Sequence, residues 1–431
     1  MMLGPTQSQV MTVTAVPQSP ETRRGSARHG TGFWLIAAVF AISMAFSTVP
    51  TSLYPIYQRQ DGFTPFTVTV VFAVYAVGVV ASLLLAGHVS DWVGRKRVLV
   101  PALGLEAVAA VLFVAWPALP GLLIARFVTG LGVGMITATA TAYLLELHAA
   151  HRPHAGRGRF ELISAAANLG GLGAGTLVAG ALAQFVDAPL RTPYLVFLVL
   201  LALSAVAVAA TPETVVAPAV APRYRPQRIR VAATDRVGYA VAAAGAFAGF
   251  AVFGLFTSLA PSFVAGSLHH PGRLLAGIVV FLVFGAAAAT QAGSNLLSPA
   301  RRFPAGLAAE AAGLVVLGAG MHLSSLALFL VGGAVAGGGA GLLFKSAIGA
   351  VAAMAAPAVR GEALAGLFLI AYLGLIGPAL GLGIATHFLA ATTAMLWFSG
   401  LLLALLGATA IISRTPGPAR RKDPRESRGP A

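Results

Sequence analysis

The sequence has no cysteine in 431 residues. Disulfide frameworks, thiolate nucleophiles and thiolate metal sites are excluded together. Charge is nearly as scarce. Asp, Glu, Lys and Arg make up 10% of the chain, against about 25% in soluble domains. A chain this long with so few charges cannot cover a water-facing surface. Acids are the scarcer sign, 13 against 28 cations, and only three of those cations are lysine. No G-x-x-x-x-G-K-[ST] occurs, so the phosphate-cradling loop of an ATP-hydrolysing chain is missing and any pumping draws on an ion gradient.

What the chain has is apolar length. Hydrophobic residues make up 58% and mean hydropathy is +0.85. Twelve runs come near the ~20 residues that cross a hydrocarbon core: 33–57, 65–87, 98–117, 120–146, 160–185, 192–211, 237–262, 274–297, 304–322, 324–350, 362–386 and 389–413. They do not alternate as the strands of a membrane barrel would. The pattern predicts an all-α polytopic membrane protein. With the N-terminus inside, the inner segments hold 23 of the 28 Lys and Arg, and the outer loops hold only Arg59, Arg191 and Arg273. This asymmetry places both termini in the cytoplasm and the chain in the inner membrane. It also accounts for the net charge of +15 without a nucleic-acid partner.

The chain divides accordingly. Residues 1–32, rich in Ser, Thr, Pro and Gln, are expected to be a disordered cytoplasmic tail. A six-span half over 33–211 and another over 237–413 flank a basic, proline-containing linker at 212–236, and a basic tail follows at 414–431. The halves look like repeats. Gly87, Gly94, Arg95 and Lys96 have counterparts 206 residues on, at Gly293, Ala300, Arg301 and Arg302, and Glu106 is echoed by Glu310. Weak internal symmetry of this kind marks transporters built from duplicated bundles.

The densest charge lies in GHVSDWVGRKRVL, Gly87 to Leu99, between spans two and three. Asp91 stands at the inner end of span two, where cations and helix-end amides can pair with it. Gly87 and Gly94 allow close approach and a tight turn. The stretch resembles the signature loop of the major facilitator superfamily, G-x-L-x-D-x-x-G-R-K-x-x-L, with Val89 at the third position. The resemblance covers about residues 33–413 and points to the drug and metabolite exporters. It implies two pseudo-symmetric six-helix bundles that rock about a central site, a small-molecule substrate, an ion gradient, and no cofactor or metal. It further implies that Gly87, Asp91, Gly94, Arg95 and Lys96 latch the two halves in the outward-facing state.

Four ionisable residues lie deep in spans: Arg126, Glu106, Glu310 and Lys345. Such groups usually face a cavity or a partner. Arg126, in ARFVTGLGVG, resembles the family's R-x-x-Q-G, with Thr129 for Gln. The resemblance ties it to proton coupling or substrate binding; snorkelling to the outer face is the bland alternative. Glu106 could carry a proton, and Lys345 could pair with Glu310 on the neighbouring span. In span five, Gly171, Gly175 and Gly180 resemble the antiporter motif G-x-x-x-G-P-x-x-G-G, with Thr176 for Pro and Ala179 for Gly. The Gly-Pro pair appears in span eleven instead, at Gly377-Pro378. Close helix packing explains most such glycines. Pro50 and Pro55 predict a broken outer end for span one. His148, His151 and His154 are too loosely spaced, with Arg152 between, for a metal site. The expected function is secondary transport by a monomer, proton-coupled export foremost and import by symport next. A membrane-embedded enzyme is disfavoured by short outer loops poor in acids.

Overall fold

A computed structural model describes residues 20–216, 218, 224–229 and 235–414. Twelve helices are long and apolar enough to cross a membrane. They are α1 Pro20–Asp61, α2 Pro65–Ala86, α3 Arg95–Ala115 and α4 Leu119–His151, then α5 Gly158–Phe185, α6 Thr192–Ala210 and α7 Arg236–Ser258. The rest are α8 Arg273–Gly293, α9 Pro299–His322, α10 Leu326–Met354, α11 Arg360–Ala385 and α12 Ala391–Arg414. No strand occurs among the described residues.

Local chemistry sets several boundaries. Thr64 accepts the Thr67 N–H at 3.1 Å ahead of Pro65, the first residue of α2. Asp235 caps α7 by accepting the Gly238 N–H at 2.7 Å. Pro261 follows the end of α7 and opens a short helix, Ala260–Gly266.

Two expectations at the N-terminus are corrected. Residues 20–32 are helical, not irregular: α1 starts at Pro20, a residue suited to the first helical position, and no further proline interrupts it before Pro50. Residues 1–19 and 415–431 of the expected tails lie outside the described residues, as do parts of the linker. The predicted break at Pro50 and Pro55 is absent, and α1 runs on to Asp61. Neighbouring helices hold this stretch: Tyr54 and Tyr57 are buried, and Ser52 Oγ donates to the Thr176 carbonyl of α5. Packing of this kind lets membrane helices tolerate proline.

The helices form two bundles, α1–α6 and α7–α12, joined mainly through α5 against α8 and α2 against α11. Under the 206-residue repeat α2 corresponds to α8 and α5 to α11, so the two contacts are related by the pseudo-symmetry. Glycine permits the closest crossings. A Cβ at Gly175 would meet the Ala45 backbone of α1, and one at Gly180 would meet the Arg273 carbonyl at 2.7 Å.

Candidate functional site

The loop between α2 and α3 is built around glycine and glutamate. Gly94 has φ +114°, and a Cβ there would stand 3.0 Å from Glu213 Oε2, so backbone and space both require glycine. Glu213, just beyond α6, accepts the backbone N–H groups of Arg95 and Lys96, each at 3.0 Å, and so caps α3. Burial pushes the Glu213 carboxyl up, but donors from Lys96, Arg95, Val215 and Thr214 outweigh this and hold it below the usual range. The buried Arg95 guanidinium donates from Nη1 to Asp91 Oδ1 at 2.7 Å and to Ser90 Oγ at 2.6 Å. Its other edge grips Glu146 in a fork, Nε to Oε2 at 3.2 Å and Nη2 to Oε1 at 2.6 Å.

Every one of these partners belongs to the N-terminal half or the linker. Among the described residues, neither Asp91 nor Arg95 bonds to the C-terminal half, so the expected latch between halves is not engaged in this conformation. Asp91 instead fronts a gap of about 350 Å³ toward Gly361 and Leu364 of α11, with Gln227 of the linker on its rim. In the second copy, where Leu297 replaces the acid, Arg302 donates to the Ser294 and Leu297 carbonyls and to Asn295 Oδ1.

The two faces of the interface between halves differ. At one end α5 and α8 are tied by Thr176 Oγ1 to the Gly277 carbonyl (3.1 Å), Arg273 N to Gln184 Oε1 (3.1 Å) and Arg273 Nη1 to the Ala183 carbonyl (2.7 Å). Phe66 and His387 also meet there, ring centroids 5.7 Å apart. At the end bearing the Gly87–Leu99 loop the halves leave two openings, the gap at Asp91 and a chamber of about 420 Å³ between α5 and α10.

Between these ends lies a central cavity of about 100 Å³. The N-terminal half contributes Ser47, Thr48, Thr51, Tyr75, Arg126 and Asn168; the C-terminal half contributes Phe250, Phe253, Phe284, Phe344, Phe368 and Tyr372. Arg126 is 1% exposed, which rules out snorkelling. Its Nη1 donates to the Ser47 carbonyl at 2.7 Å, and its guanidinium carbon lies 4.3 Å above the Tyr75 ring. Its Nε has no partner. An insertion cost of about 2.5–3.5 kcal/mol is offset by a cation–π contact of about 2 kcal/mol and a charged hydrogen bond of about 1.5–3 kcal/mol. No carboxylate pairs with Arg126 among the described residues. Asn168 and Leu169 reach the cavity from a π-turn, Ala166–Gly170, inside α5; such turns cluster at functional positions.

The remaining intramembrane charges are not gathered with Arg126. Glu106 is fully buried behind the cavity, its Oε1 accepting from Ser43 Oγ at 2.7 Å and its Oε2 unpartnered. Glu310 is fully buried in the C-terminal half, where Gly339 packs on its backbone, and neither of its carboxylate oxygens has a partner. The expected Lys345–Glu310 pair does not form. Lys345 Nζ binds Glu161 Oε2 at 3.1 Å and the Gln291 carbonyl at 3.0 Å, because its position on α10 faces α5 across the interface and α8 within its own half. Gly171 and Gly175 receive α1, and Gly180 receives α8, so all three serve packing. Gly377 faces open space, and α11 passes through Pro378 unbroken.

Sequence reasoning missed Glu146, Glu161, Glu213, Asn168 and the aromatic wall. For the three acids a signal existed, since in a chain with 13 acids each one near a span end has a partner worth seeking. For the phenylalanines there was none, because an inward Phe and a lipid-facing Phe read alike.

The comparisons with known proteins agree with this architecture. A family model described as Major Facilitator Superfamily matches residues 35–309. The inner membrane transport protein YnfM of Escherichia coli (strain K12) is 30% identical over 94 residues, a match spanning 22% of this chain and 22% of that protein. The fold resembles the crystal structure of the nucleoside transporter NupG, with TM-score 0.69 and 13% identity over 89% of this chain and 99% of that one. It also resembles the human organic anion transporter TETRAN, with TM-score 0.59 and 17% identity over 91% of this chain and all of that one. At these identities the structural likeness is one of fold. Twelve spanning helices, a cavity between two bundles and a family match over residues 35–309 together show that the chain belongs to the major facilitator superfamily, as a multi-pass membrane protein.

Proposed function

We propose that this transporter works by alternating access, exchanging protons for an exported small organic molecule. The supporting observation is the pairing of Glu106 and Arg126 through α1. Ser43 Oγ holds one oxygen of Glu106, and the Ser47 carbonyl, one turn along, holds Arg126 at the cavity. A buried carboxyl with one free oxygen is the kind of group that takes up and releases a proton. Any change in its charge reaches the cation through four residues of one helix. Lys345 and Glu161 act in this reading as a catch between the halves, and Asp91 with Arg95 re-engages α11 when the gap at their end closes. Glu310 is the C-terminal counterpart of the proton site. The direction of export follows from the resemblance of α5 to the antiporter motif. The loop charges support cytoplasmic termini in the inner membrane, and the reading takes the chain as a monomer.

The test uses everted membrane vesicles with an acid interior and a pH-sensitive dye. A panel of drugs, sugars, amino acids and organic acids is added to vesicles carrying the native protein, Glu106→Gln or Arg126→Ala. A compound that collapses the gradient in native vesicles alone supports proton-coupled export. No response, with labelled uptake into intact cells rising on expression, overturns export in favour of import.

A further inference from the structure

We propose that the central cavity selects a single-ring organic anion, its carboxylate on Arg126 and its ring against the aromatic wall of α7, α10 and α11. The inference deepens the transport reading above and rests on it. Three observations carry it.

Arg126 is the only charged side chain that lines the cavity among the described residues, and no Asp or Glu lines it. The cavity therefore holds an uncompensated cation in a medium of low polarity, where charge is felt most strongly. A cationic ligand would meet repulsion with nothing to offset it, and a neutral one would leave guanidinium donors unused. One guanidinium hydrogen bond is made, from Nη1 to the Ser47 carbonyl, and Nε is unpartnered. A planar fork with donors to spare matches a carboxylate.

The opposite wall is apolar and aromatic. Phe250 touches Phe344 at 4.7 Å and Tyr372 at 5.5 Å, centroid to centroid, both in steeply inclined arrangements. Phe253 stacks on Phe284 at 4.8 Å. Rings set edge to face present both faces and edges to a further ring, which is how aromatic groups prefer to meet. The cation and most hydroxyls lie on the N-terminal wall, and on the other wall the Thr257 hydroxyl is already spent on the Phe253 carbonyl, so the ligand is sorted end to end: charge toward α4, ring toward α10.

Size sets the third limit. The cavity measures about 100 Å³. A cavity of about 150 Å³ accepts benzene. The central cavity is smaller than that, so a single ring with a short acidic group is the most it admits, with some widening as the halves move, and a polycyclic drug is excluded.

The experiment measures binding to the purified full-length protein in detergent, by thermal shift and by equilibrium dialysis of labelled compound. The probes are benzoate, benzamide, benzylamine and acetate. Benzoate is expected to bind at least about tenfold tighter than each of the others, as a site built for a charged hydrogen bond rejects ligands lacking it. Arg126→Gln removes the preference for benzoate over benzamide. Phe344→Leu weakens benzoate and leaves acetate unchanged. Equal or tighter binding of benzamide or benzylamine overturns the proposal, and so does the absence of any benzoate shift at millimolar concentration. If Arg126→Gln does not fold, the ranking of the four probes on the native protein decides alone. Selective benzoate binding without a proton response in vesicles upholds the anion site and defeats proton coupling. Proton exchange driven by a neutral or cationic compound, with no benzoate binding, does the reverse.

Discussion

In the N-terminal half the loop between α2 and α3 holds Arg95 between two carboxylates and a serine, while in the C-terminal half Arg302 of the repeated loop reaches two carbonyls and Asn295. The same inequality runs inward. The N-terminal half brings Arg126, an amide and most of the hydroxyls to the central cavity, and the C-terminal half brings most of the rings, with Thr257 its one aliphatic hydroxyl there among the described residues. The two halves offer related frames, and they carry different chemistry. One half is organised by charges that need fixed partners, the other by shape. Lys345 and Arg273 depart from this, and both do so by reaching back to the first half.

The largest effect expected from this contrast is steric. Gly175→Val should cost about 3 kcal/mol or more, because the added carbons meet the Ala45 backbone, which cannot give way. Gly381→Val, 206 residues on in the other half, should cost about 1 kcal/mol or less, since nothing lies within 4 Å. Thermal unfolding in detergent checks the pair, and similar losses would break the comparison. Next comes the loop. Glu146→Gln leaves a buried guanidinium without its forked partner and should destabilise by about 1–3 kcal/mol. Asp91→Asn, at a side chain 62% exposed, should cost less than about 1 kcal/mol, and Asn295→Ala in the second loop less again. The order of unfolding temperatures decides it.

A smaller effect concerns the one ion pair that joins the halves among the described residues. Its side chains are 24% and 39% exposed, so a double-mutant cycle of Lys345→Gln and Glu161→Gln should give a coupling of only about 0.5–1 kcal/mol. The coupling should shrink as salt is raised. A coupling of zero at low salt would show that this pair adds nothing to the packing and to the Thr176 and Arg273 hydrogen bonds that join the halves. The smallest effect is in pH. The folded Glu213 carboxyl sits below its ordinary 4.5. Its stabilisation is therefore complete above that value and is lost as pH falls through the lower folded one. The native protein should lose stability more steeply on acidification below about pH 5 than Glu213→Gln does. Melting temperatures between neutral and acid pH measure the difference, and parallel profiles would remove Glu213 from its capping role.

Much of the frame was legible because a membrane helix announces itself along the chain. Its length, its apolar run and the cations at its inner end are local quantities, and the twelve spans follow from them within a few residues. The loop at Gly87–Leu99 was legible for the same reason, its glycines and charges being neighbours in sequence. Lateral relations were not. Lys345 and Glu310 lie on helices adjacent in sequence and still point apart, while Lys345 and Glu161 are 184 residues apart and touch. Glu213 looked like linker and proves to be the cap of α3. Pro50 and Pro55 looked like a break because their effect on an isolated helix is local, whereas the neighbours that keep α1 continuous are not. Arg126 was found because a cation in a span is conspicuous. The rings that face it were hidden among 24 phenylalanines.

The π-turn at Ala166–Gly170 gives α5 one residue more than a regular helix needs to join its two flanks. The surplus is absorbed within the turn, so Glu161 on one side and Gly171, Gly175 and Gly180 on the other keep their faces toward the rest of the protein. A lineage that dropped that residue would regain an ordinary helix with both flanks in place, losing only the way Asn168 is presented to the cavity. The cavity lining and the scaffold are therefore separable along this helix: one residue gained or lost at the turn changes how Asn168 is presented, with no repair demanded of the crossings on either side.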